Sequence, residues 1–469
     1  MVSFSGMVAE FALAVDRSTD VPLGQQIQEA FRTAIRAGRL RSRERLPSTR
    51  QLADQLGVSR GLVVSAYEQL LAEGYVVSVV GSGTRVSDAL SGADTVASRA
   101  AEGPLAGWVP EMGIDFGYGV PDLQAFPRRD WLWALGDAMN ALPTGDLGDG
   151  EAEGNAHVRA VLAGYHRRVR AGCAEPADTI VVGGFRQGLT FVLGALAAHG
   201  IEQIGLEDPG PRDHDHIARR AGLRVSAVPV DAQGLRVDAL RASGARAALV
   251  TPAHQCPTGA VLSPSRRHEL VQWAHEVDGV ILEDDYDAEF RYDRRPVGAL
   301  AARAPERVVY LGSTSKTLSP GLHLGWMVAP AALHDGLAEA RDLVSSLVPV
   351  LDQLALVHLI ESGAYDRHLR RMRRRYQQRR SALLAALAAA GVPGAPAASM
   401  DAGLHVLWHL PPGADEARVL ARARERGLTV LGLSQCRVGP GAPGLVLGYG
   451  NVPAHRAPSV ASVLATAAG

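Results

Sequence analysis

Five short apolar runs limit what this chain can become: TIVVGG (179–184), QIGLED (203–208), RAALVTPA (246–253), GVILEDDY (279–286) and RVVYLGS (307–313). Each is bounded by glycine, proline or charge and has the length of a strand rather than a helix. Between them lie amphipathic stretches such as RQGLTFVLGALAAHG and PSRRHELVQWAHEV. Strands alternating with helices predict an α/β fold whose mostly parallel sheet is covered by helices on both faces. In such folds ligands sit beyond the carboxyl ends of the strands, so those ends carry the chemistry.

Four strand ends are chemically distinctive. VVGGFRQG turns from strand to helix at Gly183-Gly184, where free backbone N–H groups and the helix dipole favour an anion. VTPAHQCPTG ends a strand in a proline-glycine turn, and ILEDDYDAEF places five acids around Tyr286. LGSTSKTLSPG brings Ser313 and Ser315 beside Lys316, the one lysine of the chain; the 48 basic residues are otherwise arginine. A solvated loop lysine is the ordinary reading of any single lysine, but here arginine has taken every other cationic position. A primary amine can lose its proton and form a Schiff base, whereas a guanidinium stays charged. Pyridoxal phosphate requires such a lysine, a carboxylate for its ring nitrogen and a phosphate site. Lys316, an acid of the Asp284/Asp285 pair, and the Gly184 helix start with Ser313 and Ser315 meet these needs.

The first part of the chain has a different character. PLGQQIQEAFRTAIRAGRL sets Leu23, Ile27, Ala30, Phe31, Ala34 and Ile35 on one helical face. Ser48 caps a short helix through Leu52, Ala53 and Leu56, Gly57 makes the turn, and Ser59 caps a helix carrying Val63, Ala66, Tyr67, Leu70 and Leu71. That is a helix-turn-helix, and YVVSVV-GSG-TRV then forms a hairpin, or wing. Net charge over the whole chain is −1, which gives no nucleic-acid signal, yet residues 22–87 hold an excess of arginine over acid. Arg60 opens the second helix, where a recognition helix meets base edges. Arg50 and the wing residues Ser82, Gly83 and Thr84 are within reach of phosphates or the minor groove.

The expected organisation is a winged helix-turn-helix over residues 1–87, a flexible Ala/Ser/Gly-rich linker over 88–112, and the α/β domain over 113–469. The N-terminal stretch lacks the basic region of a signal peptide, and no run of about 20 apolar residues is present to span a membrane. Cys173, Cys256 and Cys436 are widely spaced, which argues against a disulfide framework or a zinc site and fits the cytoplasm.

LPSTRQLADQLGVSR, AYEQL, EGY and GSGT together resemble the GntR-type winged helix-turn-helix. The order GG-x-x-Q, EDPG, TPAHQ-x-PTG, EDDYDAEFRY and GSTSKTLSPGLHLGW resembles fold-type I aminotransferases, with a smaller C-terminal subdomain. The combination is similar to the MocR/GabR family of transcriptional regulators over nearly the whole chain. The resemblance implies contacts to double-stranded operator DNA from Arg50, Ser59, Arg60, Gly61, Ser82, Gly83 and Thr84. It implies pyridoxal 5'-phosphate as cofactor, with Lys316 as the Schiff-base residue, Asp284 opposite the ring nitrogen and Tyr286 near the phenolic oxygen. Gly184, Phe185, Arg186, Ser313, Ser315, His323 and Cys256 complete the expected cofactor site. A homodimer and a small-molecule effector (an amine, an amino acid or a vitamin B6-related compound) are implied as well.

The chain departs from the aminotransferase pattern at several positions. His323 stands where an arginine usually binds phosphate, and Arg186 is a candidate to replace it. Pro211 stands where an aromatic residue often stacks near the ring, and Cys256 where asparagine precedes PTG. Val446 occupies the place of the arginine that commonly grips a substrate carboxylate, so a bidentate clamp is lost. Sensing is therefore expected rather than efficient turnover; the alternative is an active aminotransferase carrying a DNA-binding domain. The arginines of 367–380 have helical spacing, with Leu369, Met372 and Tyr376 inward, and read as a solvated face.

Overall fold

The computed structural model describes residues 15–19, 21–79, 83–87, 114–117, 119–148, 150–292, 298–342, 348–397 and 401–469. Ser82 and the expected linker 88–112 lie outside the described residues. The chain divides into two compact units, Met1–Trp108 and Val109–Gly469.

The first unit comprises α1 (Leu23–Arg36), α2 (Thr49–Leu56), α3 (Arg60–Ala72) and the antiparallel strands β1 (Val76–Val79) and β2 (Gly83–Val86). Ser48 caps α2 in a reciprocal capping box with Gln51, and Gly57 ends it at φ 62° in the left-handed region. Ser59 caps α3 by accepting from the Leu62 amide. Ile27, Phe31, Leu52, Val63, Ala66 and Leu70 meet in one core, where Phe31 and Tyr67 pack edge to face with centroids 5.7 Å apart. Of the apolar residues on α3, Leu71 is 45% exposed. The buried stripe of α3 is carried by Val63, Ala66, Tyr67 and Leu70, and Leu71 falls at its margin, one residue before the helix end.

The wing is broader than a hairpin. The amide of Leu46 donates to Thr84 O (2.9 Å), Arg43 N to Val86 O (3.0 Å) and Val86 N to Glu44 O (2.9 Å), so residues 43–46 line the outer edge of β2. RERL has no β-branched residue and carries no strand signal of its own.

In the second unit, β3 (Ile114–Asp115) leads to α4 (Arg128–Ala141) and α5 (Ala156–Arg170). The main sheet is built from β4 (Thr179–Val182), β5 (Gln203–Asp208), β6 (Arg224–Asp231), β7 (Gly234–Leu235), β8 (Ala247–Val250), β9 (Val280–Asp285), β10 (Val308–Ser313) and β11 (Gly325–Val328). Its order is β4-β11-β10-β9-β8-β5-β6-β7, parallel from β10 through β6 and antiparallel at β11 and β7. All five apolar runs of the sequence are strands of this sheet. Helices α6 (Phe185–Ala198) and α7 (Arg212–Arg220) cover one face with Leu189, Val192 and Ala218. Helices α5, α8 (Val237–Ser243) and α9 (Pro264–Glu276) cover the other with Leu162, Leu240, Leu270 and Trp273.

Helices α10 (His334–Asp342), α11 (Val350–Glu361) and the long α12 (Ala364–Ala389) lead to a C-terminal layer. There β12 (Ala395–Pro396), β13 (His405–His409), β15 (Leu431–Gly432) and β16 (Gly444–Gly448) form an antiparallel sheet in the order β12-β13-β16-β15. Helices α13 (Glu416–Glu425) and α14 (Ala457–Ala468) complete it, and β14 (Leu428–Thr429) pairs in parallel with β3. The arm after β3 is pinned to this layer, since Gly448 N donates to Phe116 O at 3.0 Å and the Phe116 ring is fully buried.

Gly57→Ala should destabilise the first unit by about 1 kcal/mol, because the left-handed region is costly for a residue with a Cβ. Gly61, inside α3 with open space around it, is the control: Gly61→Ala should be neutral or stabilising by about 0.5–1 kcal/mol. Thermal unfolding should fall to lower temperature in Gly57→Ala and should not fall in Gly61→Ala.

Candidate functional site

Three parallel strands end at one cavity of about 330 Å³. The β4–α6 turn contributes Gly184, Phe185 and Arg186; the end of β9 contributes Asp284 and Tyr286; the end of β10 contributes Ser313, Ser315 and Lys316. Cys256 comes from the loop after β8, and His323 from the turn before β11. The ten residues expected at a cofactor site thus share one cavity. Sequence reasoning missed Asp213 and His214, which enter from α7; the His214 ring lies against Phe185 with centroids 5.2 Å apart. Their DHDH pattern on a short helix looks like ordinary surface charge.

Strand alternation assigns the acids of β9. Asp285 faces the core, where its Oδ2 meets Arg170 Nε at 2.5 Å and accepts from Tyr310 Oη at 2.7 Å. Glu283, also inward, accepts from the amides of Leu300 (2.9 Å) and Ala301 (3.0 Å). Asp284 and Tyr286 face the cavity. Of the Asp284/Asp285 pair, only Asp284 is therefore available to a ligand, and its buried Oδ1 has no hydrogen-bond partner. Burial, with Asp285 and Asp287 adding to it, pushes the Asp284 carboxyl well above the usual range, while Lys316 pulls the other way. A neutral acid here would ionise against a cationic ring N–H.

Lys316 lies half-buried beside the arm that follows β3. Gly119 there has φ 69°, and a Cβ at this position would stand 2.8 Å from Lys316 Nζ, so the amine is held against bare backbone. Burial lowers the Lys316 pKa, opposed by the neighbouring Cys256, Asp284 and Asp287. Gly184, at φ 88°, precedes the first turn of α6, whose leading amides have no partner within the helix. Across from it, Ser313 Oγ and Ser315 Oγ are 2.8 Å apart. An orphaned carboxylate oxygen, a lysine of lowered pKa and a glycine-led helix start fit a carbonyl-bearing phosphate with a basic ring.

The cations around that cradle are weaker than in the family pattern. Arg186 reaches the cavity rim but is paired with Asp213 at 2.8 Å, with both side chains more than half exposed. His323, left-handed at φ 46°, is exposed at the rim. Val446 is fully buried on β16 with Leu407, Leu433 and Cys436, so an apolar cluster stands where the resemblance would put a carboxylate-gripping arginine.

On the first unit, Arg50, Ser59, Arg60, Gly61 and Gly83 are exposed and Thr84 is half-buried. Arg45, missed in the sequence, is exposed beside the wing, where its guanidinium lies about van der Waals distance from the open side of Gly83. On α12, Leu369, Met372 and Tyr376 are buried as expected. Arg375 and Arg379 bind Asp122 at 2.8 and 2.6 Å, and Arg373 binds the Glu289 carbonyl. Arg370, Arg371 and Arg374 remain on the solvent face.

Because Lys316 is the only lysine, its ionisation can be followed without interference from other side chains. Amine acylation read by mass spectrometry at residue 316 should rise with pH through a midpoint below the usual lysine value of about 10.4. A midpoint at or above that value would show an amine that burial does not perturb.

Comparison with known proteins agrees with this arrangement. Residues 23–86 match the family of bacterial regulatory proteins of the gntR type, and residues 134–445 match aminotransferase class I and II. The HTH-type pyridoxine biosynthesis transcriptional regulator PdxR of Corynebacterium glutamicum is 34% identical over 95% of this chain and 96% of that protein. The probable rhizopine catabolism regulatory protein MocR of Rhizobium meliloti is 32% identical, over 94% and 92%. Among solved structures, LysN, the α-aminoadipate aminotransferase of Thermus thermophilus complexed with N-(5'-phosphopyridoxyl)-L-leucine, superimposes with a TM-score of 0.67 at 26% identity, covering 75% of this chain and 91% of that one. A regulator-type winged helix in one unit, an aminotransferase fold in the other and full-length relatives with both parts lead to one assignment: the chain belongs to the MocR/GabR family of HTH-type transcriptional regulators.

Proposed function

We propose that this regulator binds operator DNA through its first unit, captures pyridoxal 5'-phosphate at Lys316, and senses a small amine or a vitamin B6-related compound through the same pocket. The observation that carries the reading is the pairing of a single half-buried lysine with the orphaned Asp284 Oδ1 in one cavity. The phosphopyridoxyl ligand of the structurally similar LysN supports the cofactor, and the similarity to PdxR, a regulator of pyridoxine biosynthesis, supports a B6-related effector.

The cofactor, when bound, supplies an aldehyde carbon that exchanges one amine for another. The chain's residues do the rest. Burial keeps a larger share of Lys316 neutral than water would. Asp284 would give its proton to the ring nitrogen and, left as a carboxylate, accept a hydrogen bond from the resulting N–H. The start of α6, with Ser313 and Ser315, holds the phosphate by hydrogen bonds and the helix dipole. The apolar site of Val446 offers nothing to a carboxylate, which favours an amine or a B6 compound over an α-amino acid, and a sensor over a transaminase. A homodimer would present two reading heads to two half-sites.

The deciding experiment is the visible absorbance of the purified protein titrated with pyridoxal phosphate, beside Lys316→Ala. A band in the wild type and none in the variant is expected; a colourless wild type overturns the cofactor reading. Amine-dependent spectral change without keto-acid product separates sensing from turnover. At the phosphate end, Arg186→Ala should weaken cofactor retention, and Asp213→Ala, which frees Arg186, should strengthen it; equal retention in both would remove Arg186 from the site. For DNA, Arg60→Ala should lower operator affinity by about 1–3 kcal/mol if it reads a base edge, measured by fluorescence anisotropy at fixed salt.

A further inference from the structure

The Tyr286 hydroxyl at the cavity wall is held from behind. Its O–H donates to the His254 carbonyl at 2.9 Å, and His254 Nδ1 lies 3.2 Å from the same oxygen. Nδ1 is also 3.0 Å from Asp287 Oδ2. His254 and Asp287 are almost completely buried. The C-terminal layer closes over them: Gly403 has φ 77°, and a Cβ there would collide with the His254 ring and stand 2.7 Å from Asp287 Oδ2. His405, at the start of β13, packs its ring 5.1 Å from that of His254, and burial together with His254 pushes its pKa down to about 3.

Counting hydrogens decides what this arrangement does. A carboxylate only accepts, so the contact with Asp287 requires the proton of His254 to sit on Nδ1. That N–H is shared between the carboxylate and the phenol oxygen. Were Nδ1 bare, it would take the phenol's hydrogen and leave Tyr286 nothing to give the cavity. With Nδ1 protonated, the Tyr286 O–H can leave the His254 carbonyl for an oxygen in the cavity while still accepting from Nδ1.

We propose that Asp287 and His254 are positioning residues that keep Tyr286 a hydrogen-bond donor toward the oxygen next to the carbonyl captured by Lys316. The inference rests on the cofactor reading of Lys316. Pyridoxal phosphate carries a phenolic oxygen ortho to its aldehyde, so that oxygen must lie close to Nζ. Among the described hydroxyls of the cavity, Ser313 and Ser315 are engaged with each other, and position 256 offers only a thiol, a weak donor. Tyr286 is the remaining hydroxyl. The ionisable groups around it are Asp284, Cys256 and Lys316 on the cavity side, Glu207 from β5, and Asp287, His254, His405, Tyr292 and Tyr449 behind it.

The test is the pH midpoint of the visible band of the full-length protein loaded with pyridoxal phosphate. A hydrogen bond donated to the phenolic oxygen stabilises its negative charge and so holds the midpoint down. Tyr286→Phe should raise it by about one pH unit. Asp287→Leu should raise it similarly, and adding Asp287→Leu to Tyr286→Phe should move it no further. Asp287→Asn, which keeps an acceptor oxygen for Nδ1–H, should recover most of the shift. An unmoved midpoint in Asp287→Leu, or shifts that add in the double variant, would overturn the proposal, and so would lower thermal stability with an unmoved midpoint. A wild type without any band defeats the Lys316 reading itself; a normal band with unmoved midpoints defeats only the role of Asp287 and His254.

Discussion

The cavity depends on how one strand end divides its charge. Glu283, Asp284 and Asp285 are consecutive, and in an unstructured chain three adjacent carboxylates would repel one another. The period-two geometry of β9 separates them. Asp285 is neutralised in the core by Arg170 and Tyr310, and Glu283 by two backbone amides. Only Asp284 is left facing the cavity. Removing Arg170 would leave Asp285 buried and uncompensated, a defect of the kind that costs about 3–5 kcal/mol, next to the one acid of β9 that faces the cavity. The Arg170 ion pair thus fixes the register that makes Asp284 available.

Much of this was legible in the sequence. Apolar runs of strand length announced the sheet because burial on both faces leaves no room for polar alternation. The sole lysine singled out its strand end because substitution by arginine everywhere else removed the usual background, and the structure places it in the cavity. Ser48, Gly57 and Ser59 announced the helix-turn-helix because capping and left-handed turns depend on single residues.

What stayed hidden depends on contacts distant in sequence. The edge formed by residues 43–46 is held by backbone bonds to the wing, and RERL contains nothing that asks for a strand. The choice between Asp284 and Asp285 needed the strand's orientation, which the sequence carries only as parity. Arg186 looked like a free cation until Asp213, 27 residues away, appeared beside it. His254 read as one residue of a loop motif, and its link to Tyr286 appears only where β8 and β9 end side by side.

The absence of other lysines has a consequence for chemical selectivity. Aldehydes in a cell modify most proteins at many surface lysines, so a carbonyl-sensing protein with an ordinary complement would carry a variable load of adducts. Apart from its α-amino group, this chain offers such compounds one nitrogen, at the bottom of a shaped cavity, and an exterior of guanidinium groups that do not form imines with them. Any imine chemistry on its side chains has a single address, and competing adducts elsewhere on the surface are kept low by composition alone.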